Sequence, residues 1–310
     1  MSIVVETQLA TMRGELVGFA YRMLGSPFEA EDAVQETMLR AWRHGDEFDA
    51  GRGTLRTWVY RIATNVCVDM LRSAGRRARA TDFAAPSGDG LGAPLPESAW
   101  VLPIPDRTLG DDPAAVVERR ESVRLAFVAA LQHLPPRQRA VLILRDVLCW
   151  RADEVAALLD TSVASVTSAL QRARGGIRRA DPGGPSPLPD AARRDLVARY
   201  TDAFHRDDIP AMIALLQEDA TISMPPFAWW VRGREMIGAV MAGSDGSCHS
   251  ARLVTDLVNG SVASWQYRPT GPGGAFEPFA LLVYEFGDQL ISGITTFLGP
   301  PVTTLVSVDR

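Results

Sequence analysis

Two short stretches of this 310-residue chain concentrate residue types that handle nucleic acid. Residues 52–79 hold seven arginines against one acid, Asp69, with Trp58 and Tyr60 among them. Arginine meets phosphate and aromatic rings stack on unpaired bases, so this set suits a single strand. Its candidate contacts are Phe48, Arg56, Trp58, Tyr60, Arg61, Asn65 and Arg72. A base taken out of its stack needs a pocket, which the irregular loop 45–55 could form. The second stretch, 163–179, holds four arginines and no acid. There Ser165, Thr167, Ser168, Gln171 and Arg172 could face base edges, glutamine suiting adenine and arginine guanine. Arg174, Arg178 and Arg179 would reach phosphates, each neutralised phosphate steepening the salt dependence by about 0.9 in log–log slope. A third set, Asp32, Gln35 and Glu36, forms an acidic and amide helix face. Each set has a plainer alternative: a solvated basic helix, Trp58 in the core beside an amphipathic Tyr60, and a solvated acidic face.

Caps and periodicity supply the elements that would position these residues. Ser26 can cap a helix, Pro27 fits its first turn and Glu29 can complete a capping box. Val34, Met38 and Trp42 then lie on one face, opposite Asp32, Gln35 and Glu36. A helix over 54–79 has Leu55, Trp58, Val59, Ile62, Val66 and Met70 as its apolar stripe. Residues 134–150 predict one helix. A helix over 152–159, a turn at Asp160 and Thr161, and a helix capped by Ser162 make a helix-turn-helix. The second helix of such a unit can enter a major groove.

The organisation is a helical domain at 10–80, a Pro-, Gly- and Asp-rich linker at 81–117, and a helical domain at 118–180. A second linker at 181–190 leads to a mixed domain at 191–305. In the mixed domain the pattern predicts two helices over 196–220, a strand at 220–226 and a helix at 232–243. Further strands at 261–269, 279–286 and 291–299 belong to a curved antiparallel sheet.

Composition narrows the functional classes. Apolar residues are 46% and charged residues 22%, ordinary for a soluble globular protein. All 32 basic residues are arginine, and the net charge is −5. That charge is unevenly spread: residues 1–80 sum to +1, 81–117 to −5, 118–180 to +5 and 181–310 to −6. An acidic chain with two basic segments points to local phosphate contact. Neither a signal-peptide pattern nor a membrane-length apolar run is found, so a cytoplasmic protein without a membrane partner is expected. Cys67, Cys149 and Cys248 are far apart, which argues against a disulfide framework or zinc site and for small buried hydrophobes. No cofactor and no metal are expected.

The motifs together resemble a known family. AEDAVQETMLRAW followed by GTLRTWVYRIATNVCVDMLR is similar to region 2 of extracytoplasmic-function (ECF) sigma factors. LPPRQRAVLILRDVLCWRADEVAALLDTSVASVTSALQRAR is similar to their region 4. The resemblance implies that Asp32, Gln35 and Glu36 dock core RNA polymerase. It implies that loop 48–55 and the following helix capture and melt the −10 element, and that the helix after Ser162 reads the −35 element. Many relatives carry Gly where Asp160 stands, and Asp tolerates that left-handed turn. Relatives also often have basic residues at the positions of Thr167 and Ala169, so their promoter consensus does not transfer.

Residues 190–300 resemble the SnoaL-like branch of the nuclear-transport-factor-two-like fold, and AWVLPIPDR at 99–107 resembles a linker motif of sigma factors with that domain. The expected fold is multidomain: a helical bundle for region 2, a helix-turn-helix for region 4, then an α+β cone-shaped barrel. This branch carries its own C-terminal control element and often has no dedicated anti-sigma partner. Catalytic relatives of the barrel use a pocket Asp and His. The corresponding candidates are Asp202, His205, Asp219, Trp229, Trp230, Tyr267 and His249. Pro225 to Trp230 could line a pocket mouth or form a contact patch. The expected activity is promoter recognition and melting without enzymatic chemistry. Its partners are core polymerase, promoter DNA, a small-molecule ligand, and an intramolecular contact of the barrel with the sigma regions or linker. The alternative is a helix-turn-helix regulator fused to a small-molecule-binding or enzymatic domain.

Overall fold

Helix caps set the start of the chain. α1 (Arg13–Leu24) ends at Gly25, whose φ of 74° reverses the backbone. The Ser26 hydroxyl accepts the Glu29 amide at 3.4 Å and opens α2 (Pro27–Arg43), with Pro27 in its first turn. The computed structural model describes residues 8–49, 51, 53–73, 77–87, 90–109, 122–181, 186–243, 250–271 and 274–307. Its contacts divide into two units: Met1–Arg77 with Val101–Gly184, and Ala78–Trp100 with Pro185–Arg310.

In the first unit α3 (Leu55–Ser73) packs on α1 and α2. Its buried face is Val59, Tyr60, Ala63, Thr64, Val66 and Cys67, which keeps Val59 and Val66 of the expected stripe and leaves Leu55, Trp58, Ile62 and Met70 half-buried. Small Ala63, Thr64 and Cys67 let neighbouring helices approach, which rotates the buried face by about one residue. Burial pushes the Cys67 thiol up to about 12. Trp42, expected inside α2, is instead 60% exposed beside exposed Leu39. Cys149 is exposed, against expectation, and Cys248 lies outside the described residues.

α4 (Leu125–Gln132) and α5 (Pro136–Leu142) follow. The single helix expected over 134–150 widens into a π-helical turn at Ile143–Val147 and stops where Cys149 takes a φ of 55°. No Gly or Pro marks that break, so periodicity reads through it. α6 (Ala152–Leu158) and α7 (Val163–Ala180) form the helix-turn-helix. Asp160 at the turn has a φ of 49°, and the Ser162 hydroxyl accepts the Ser165 amide at 3.1 Å. A β-carbon on Gly176 would stand 2.5 Å from a Leu134 methyl, so α7 lies close against the α4–α5 corner.

A buried arginine joins the two halves of this unit. Arg139 Nη1 donates to Gln132 Oε1 at 2.6 Å and to the Met23 carbonyl at the end of α1. Its Nη2 donates to the Gln132 and Leu134 carbonyls, each at 3.2 Å. Burial lowers its pKa to about 10, with the Cys67 thiol opposing that fall. Arg22, also buried, donates to the Ser122 carbonyl and hydroxyl at 3.1 and 2.6 Å.

In the second unit α8 (Asp190–His205) and α9 (Ile209–Ala214) back a six-stranded sheet of order β2-β1-β6-β5-β4-β3. The strands are β1 (Leu216–Ser223), β2 (Trp230–Arg232), β3 (Arg252–Val258), β4 (Ser261–Pro269), β5 (Phe276–Phe286) and β6 (Ile291–Leu298). β1 pairs parallel with β6, and the other pairings are antiparallel. The core joins Leu196, Val197 and Tyr200 of α8 to Leu282, Tyr284 and Ile294 of the sheet. α10 (Arg234–Ala242) follows β2, and α11 (Pro300–Ser307) packs on β5. The helix expected to reach residue 220 ends at Ala214, because buried Leu216 already pairs with Ile291.

Residues 81–100, expected to be linker, fold within this unit, as do residues 78–80, expected to close the first helical domain. The Trp230 indole N–H donates to the Ala84 carbonyl at 2.8 Å, and the Ser87 amide to the Trp230 carbonyl at 3.0 Å. The Leu95 amide donates to the Pro226 carbonyl at 2.8 Å, and Arg79 pairs with Glu285 at 2.7 Å. Residues 101–109 belong to the helical unit, where the Tyr21 hydroxyl donates to the Leu102 carbonyl at 2.8 Å.

Arg139→Ala leaves several buried carbonyls without donors. It is expected to destabilise the helical unit by about 3 kcal/mol in urea unfolding.

Candidate nucleic-acid interface

The N-terminal half of α3 and its preceding loop flank a half-open cavity of about 260 Å³. Glu47, Phe48, Asp49, Gly53, Thr54, Thr57, Trp58 and Arg61 line it. Phe48 and Trp58 lie 5.6 Å apart between ring centroids at an interplanar angle of 47°. Asp49 Oδ1 accepts the Gly51 amide at 2.8 Å, and Thr54 Oγ1 accepts the Thr57 amide at 3.1 Å, so side chains shape the loop. Glu47, Asp49, Thr54 and Thr57 were not picked out from sequence. They gather only because the loop turns back on α3.

Other candidates on α3 are differently placed. Tyr60 is fully buried, its ring 5.2 Å from Phe19 and 5.0 Å from Trp150. Burial raises its phenol well above the ordinary value. Arg56 forms an ion pair with Glu15 and stands 4.9 Å over the Trp150 ring. Burial opposes its charge, and the Glu15 carboxylate outweighs that, raising its pKa. Arg61 Nη2 donates to the Ala157 carbonyl at 2.8 Å. Asn65 and Arg72 are exposed, Arg72 bonded to Asp69 at 2.8 Å.

On α7, Ser165, Thr167, Gln171 and Arg172 are exposed and Ser168 is half-buried. Val166, Leu170 and Ala173 are buried behind them. Arg172 Nη1 donates to the Ser168 hydroxyl at 2.7 Å, which sets both side chains. Val163, missed from sequence, is 46% exposed at the start of the helix, where an apolar group can meet a thymine methyl. Arg174, expected on phosphate, grips Asp146 through two hydrogen bonds of 2.7 and 2.8 Å, and that bonding raises its pKa. On α2, Asp32 and Gln35 are exposed, and Glu36 pairs with Arg40 at 2.6 Å.

The candidates of the sheet unit each have a separate setting. Asp202 is exposed and pairs with Arg206, and Asp219 lies 3.8 Å from Arg232. His205 Nε2 accepts the Leu253 amide at 3.0 Å. Trp229 is buried in the core, Trp230 meets Ala84, and half-buried Tyr267 stands opposite Arg252 in the β3–β4 register. His249 lies outside the described residues. Among the described residues no helix is long and apolar enough to cross a membrane.

Comparison with known proteins identifies the two helical parts. The family profile of Sigma-70 region 2 matches residues 9–77, and that of Sigma-70, region 4 matches residues 124–175. The chain is 43% identical over 299 residues to the ECF RNA polymerase sigma factor SigG of Mycobacterium tuberculosis, across 92% of this chain and 79% of that one. This chain belongs to the ECF sigma factors.

SigJ of the same organism is 30% identical to this sigma factor over 270 residues, across 84% of this chain and 80% of that one. The crystal structure of SigJ shares the fold, with a TM-score of 0.64 at 24% identity over 96% of this chain and 98% of that one. As a sigma factor, the chain gives RNA polymerase its promoter recognition through regions 2 and 4. The helical sigma regions are followed by an α+β domain built on the six-stranded sheet, a fold that the SigJ structure shares.

Two substitutions on α7 should separate base reading from phosphate contact. Arg172→Ala is expected to cost about 1–3 kcal/mol at one promoter base pair. Arg179→Ala is expected to weaken all sequences alike and reduce the log–log salt slope by about 0.9. Fluorescence anisotropy of the holoenzyme on single-base promoter variants reads both.

Proposed function

We propose that this ECF sigma factor divides promoter opening among three faces. Asp32, Gln35 and Glu36, extended by exposed Leu39 and Trp42, dock core polymerase in the cytoplasm. Phe48 and Trp58 receive an unstacked base of the −10 strand. Arg56, Tyr60, Arg61, Asn65 and Arg72 hold the strand along the same helix. Ser165, Thr167, Ser168, Gln171 and Arg172 read the −35 duplex, with Val163 at its edge. Arg174 is the orienting member of that set, held by Asp146. The observation that carries the proposal is the 260 Å³ cavity, with two aromatic rings and an arginine at the start of a basic helix. Aromatic rings beside a guanidinium suit a flipped base and its phosphate.

The SnoaL-like domain regulates this activity and performs no chemistry in this reading. His205 accepts a backbone hydrogen bond, and Asp202 and Asp219 meet arginines, so none is paired as an acid with a base. Regulation runs through residues 78–100, which bond to Trp230 and Pro226. A small-molecule ligand would act only through unequal affinity for the held and released linker.

Phe48→Ala combined with Trp58→Ala is expected to reduce open-complex formation about tenfold, since stacking contributes about 1–3 kcal/mol per base. Permanganate reactivity of promoter thymines measures this, and co-purification with core polymerase should persist. Truncation after Gly184 should change runoff transcript yield severalfold. Equal yields would remove the regulatory role.

A further inference from the structure

β3 closes one side of the six-stranded sheet, since the strand order ends on it. The two-residue turn Asn259-Gly260, with φ of 52° and 74°, joins it to β4 and makes Val258 and Ser261 a hydrogen-bonded pair. Hydrogen bonding alternates along an antiparallel ladder. The amides of Arg252, Val254, Asp256 and Val258 therefore turn toward β4, and those of Leu253, Thr255 and Leu257 turn outward. A row of outward amides accepts another strand unless something stops it. Here two of the three are stopped. His205 Nε2 accepts the Leu253 amide at 3.0 Å, and Asp256 Oδ1 accepts the Leu257 amide at 2.7 Å. Thr255 between them is exposed, and its amide has no partner among the described residues. On one face of the strand Val254 is 52% exposed, with Arg252 and Asp256 on either side of it. Both charges are set in place: the Arg252 guanidinium lies 3.9 Å over the Phe276 ring, and Asp256 Oδ2 accepts the Trp265 indole N–H at 2.8 Å.

We infer that the β3 edge is a pairing site for a second copy of this chain, with His205 as its gate. The strand is self-complementary in an antiparallel register centred on Val254. There Val254 meets its counterpart on the two-fold axis, and Arg252 stands opposite Asp256 of the second copy on both sides of that axis. An apolar pair flanked by two opposite-charge pairs stabilises adjacent strands. Neighbouring registers match less well: one centred on Thr255 sets Val254 against Asp256, and one centred on Asp256 sets two carboxylates together. The equal spacing of Arg252 and Asp256 about Val254 is what selects a copy of this chain over an unrelated peptide. The register uses the Leu253 and Thr255 amides of each copy. Thr255 is ready to donate, whereas Leu253 donates only when the His205 ring gives it up. The gate therefore weakens pairing without removing the surface that pairs.

The test is sedimentation velocity of the full chain. His205→Ala is expected to tighten self-association about tenfold over the wild type, since each copy regains one strand hydrogen bond. Adding Val254→Lys sets like charges on the axis and should return that chain to the monomer. Association no tighter than the wild type, in a His205→Ala chain with wild-type circular dichroism, would overturn the inference. So would association that Val254→Lys leaves intact. The charge pairs have their own reading. Arg252→Asp and Asp256→Arg, each made in the His205→Ala chain, should associate weakly alone and more tightly when mixed. No preference for the mixture means that another surface pairs. Hydrogen exchange on the unsubstituted chain is free of any folding defect. Exchange of the Thr255 amide should slow as the chain is concentrated, and a rate independent of concentration sinks the proposal.

Discussion

A guanidinium inside a protein must find acceptors for its donors, and Arg139 finds them on both sides of a junction. Its bonds reach the carbonyl end of α1, the Gln132 side chain and the α4–α5 corner. A hydrophobic contact could slide, whereas a planar fork with acceptors at set angles permits little rotation. Region 4 is therefore keyed to region 2 at a defined orientation. The approach of α6 to α3 follows from that key. Arg22 and Gln132 add bonds of the same polar kind.

Polar and apolar contacts both contribute to this junction. Apolar burial grows with area and resists small competitors, while hydrogen bonds exchange for others with little net change. The rings of Phe19, Tyr60 and Trp150 add an apolar centre to the junction. The helix proposed to take the −10 strand is thus also a packing surface. Its small residues pack against the helices of region 2, and Arg56 and Arg61 meet Trp150 and Ala157.

Much of this was legible in the sequence where a local cause acts. The Ser26 and Ser162 caps, the left-handed Asp160 and the alternating strands β4, β5 and β6 depend on neighbours in the chain. What was hidden depends on distant partners. Trp58 looked like core because it lies on the apolar stripe, but the buried face holds Tyr60 beside Ala63 and Cys67. Trp42 shares a face with Val34, yet at that turn Ala41 takes the buried position and the indole is left in water. β3 carries Thr and Asp between its apolar residues as an edge strand, and β2 has only three residues, so neither announces itself. The linker looked like a spacer because Pro, Gly and Asp dominate it. Its backbone hydrogen bonds to Trp230 and Pro226 involve no distinctive side chain in the linker itself.

One glycine carries a geometric consequence. Gly176 lets α7 rest against Leu134 with no methyl between them. Ser165 lies eleven positions away, about 16 Å along the helix at 1.5 Å per residue. The contact is a pivot and the remainder of α7 a lever, so a tilt of a few degrees at Gly176 becomes a displacement of an ångström or so at the groove-facing tip. The aim of the recognition helix thus depends on the absence of a single carbon atom at its far end.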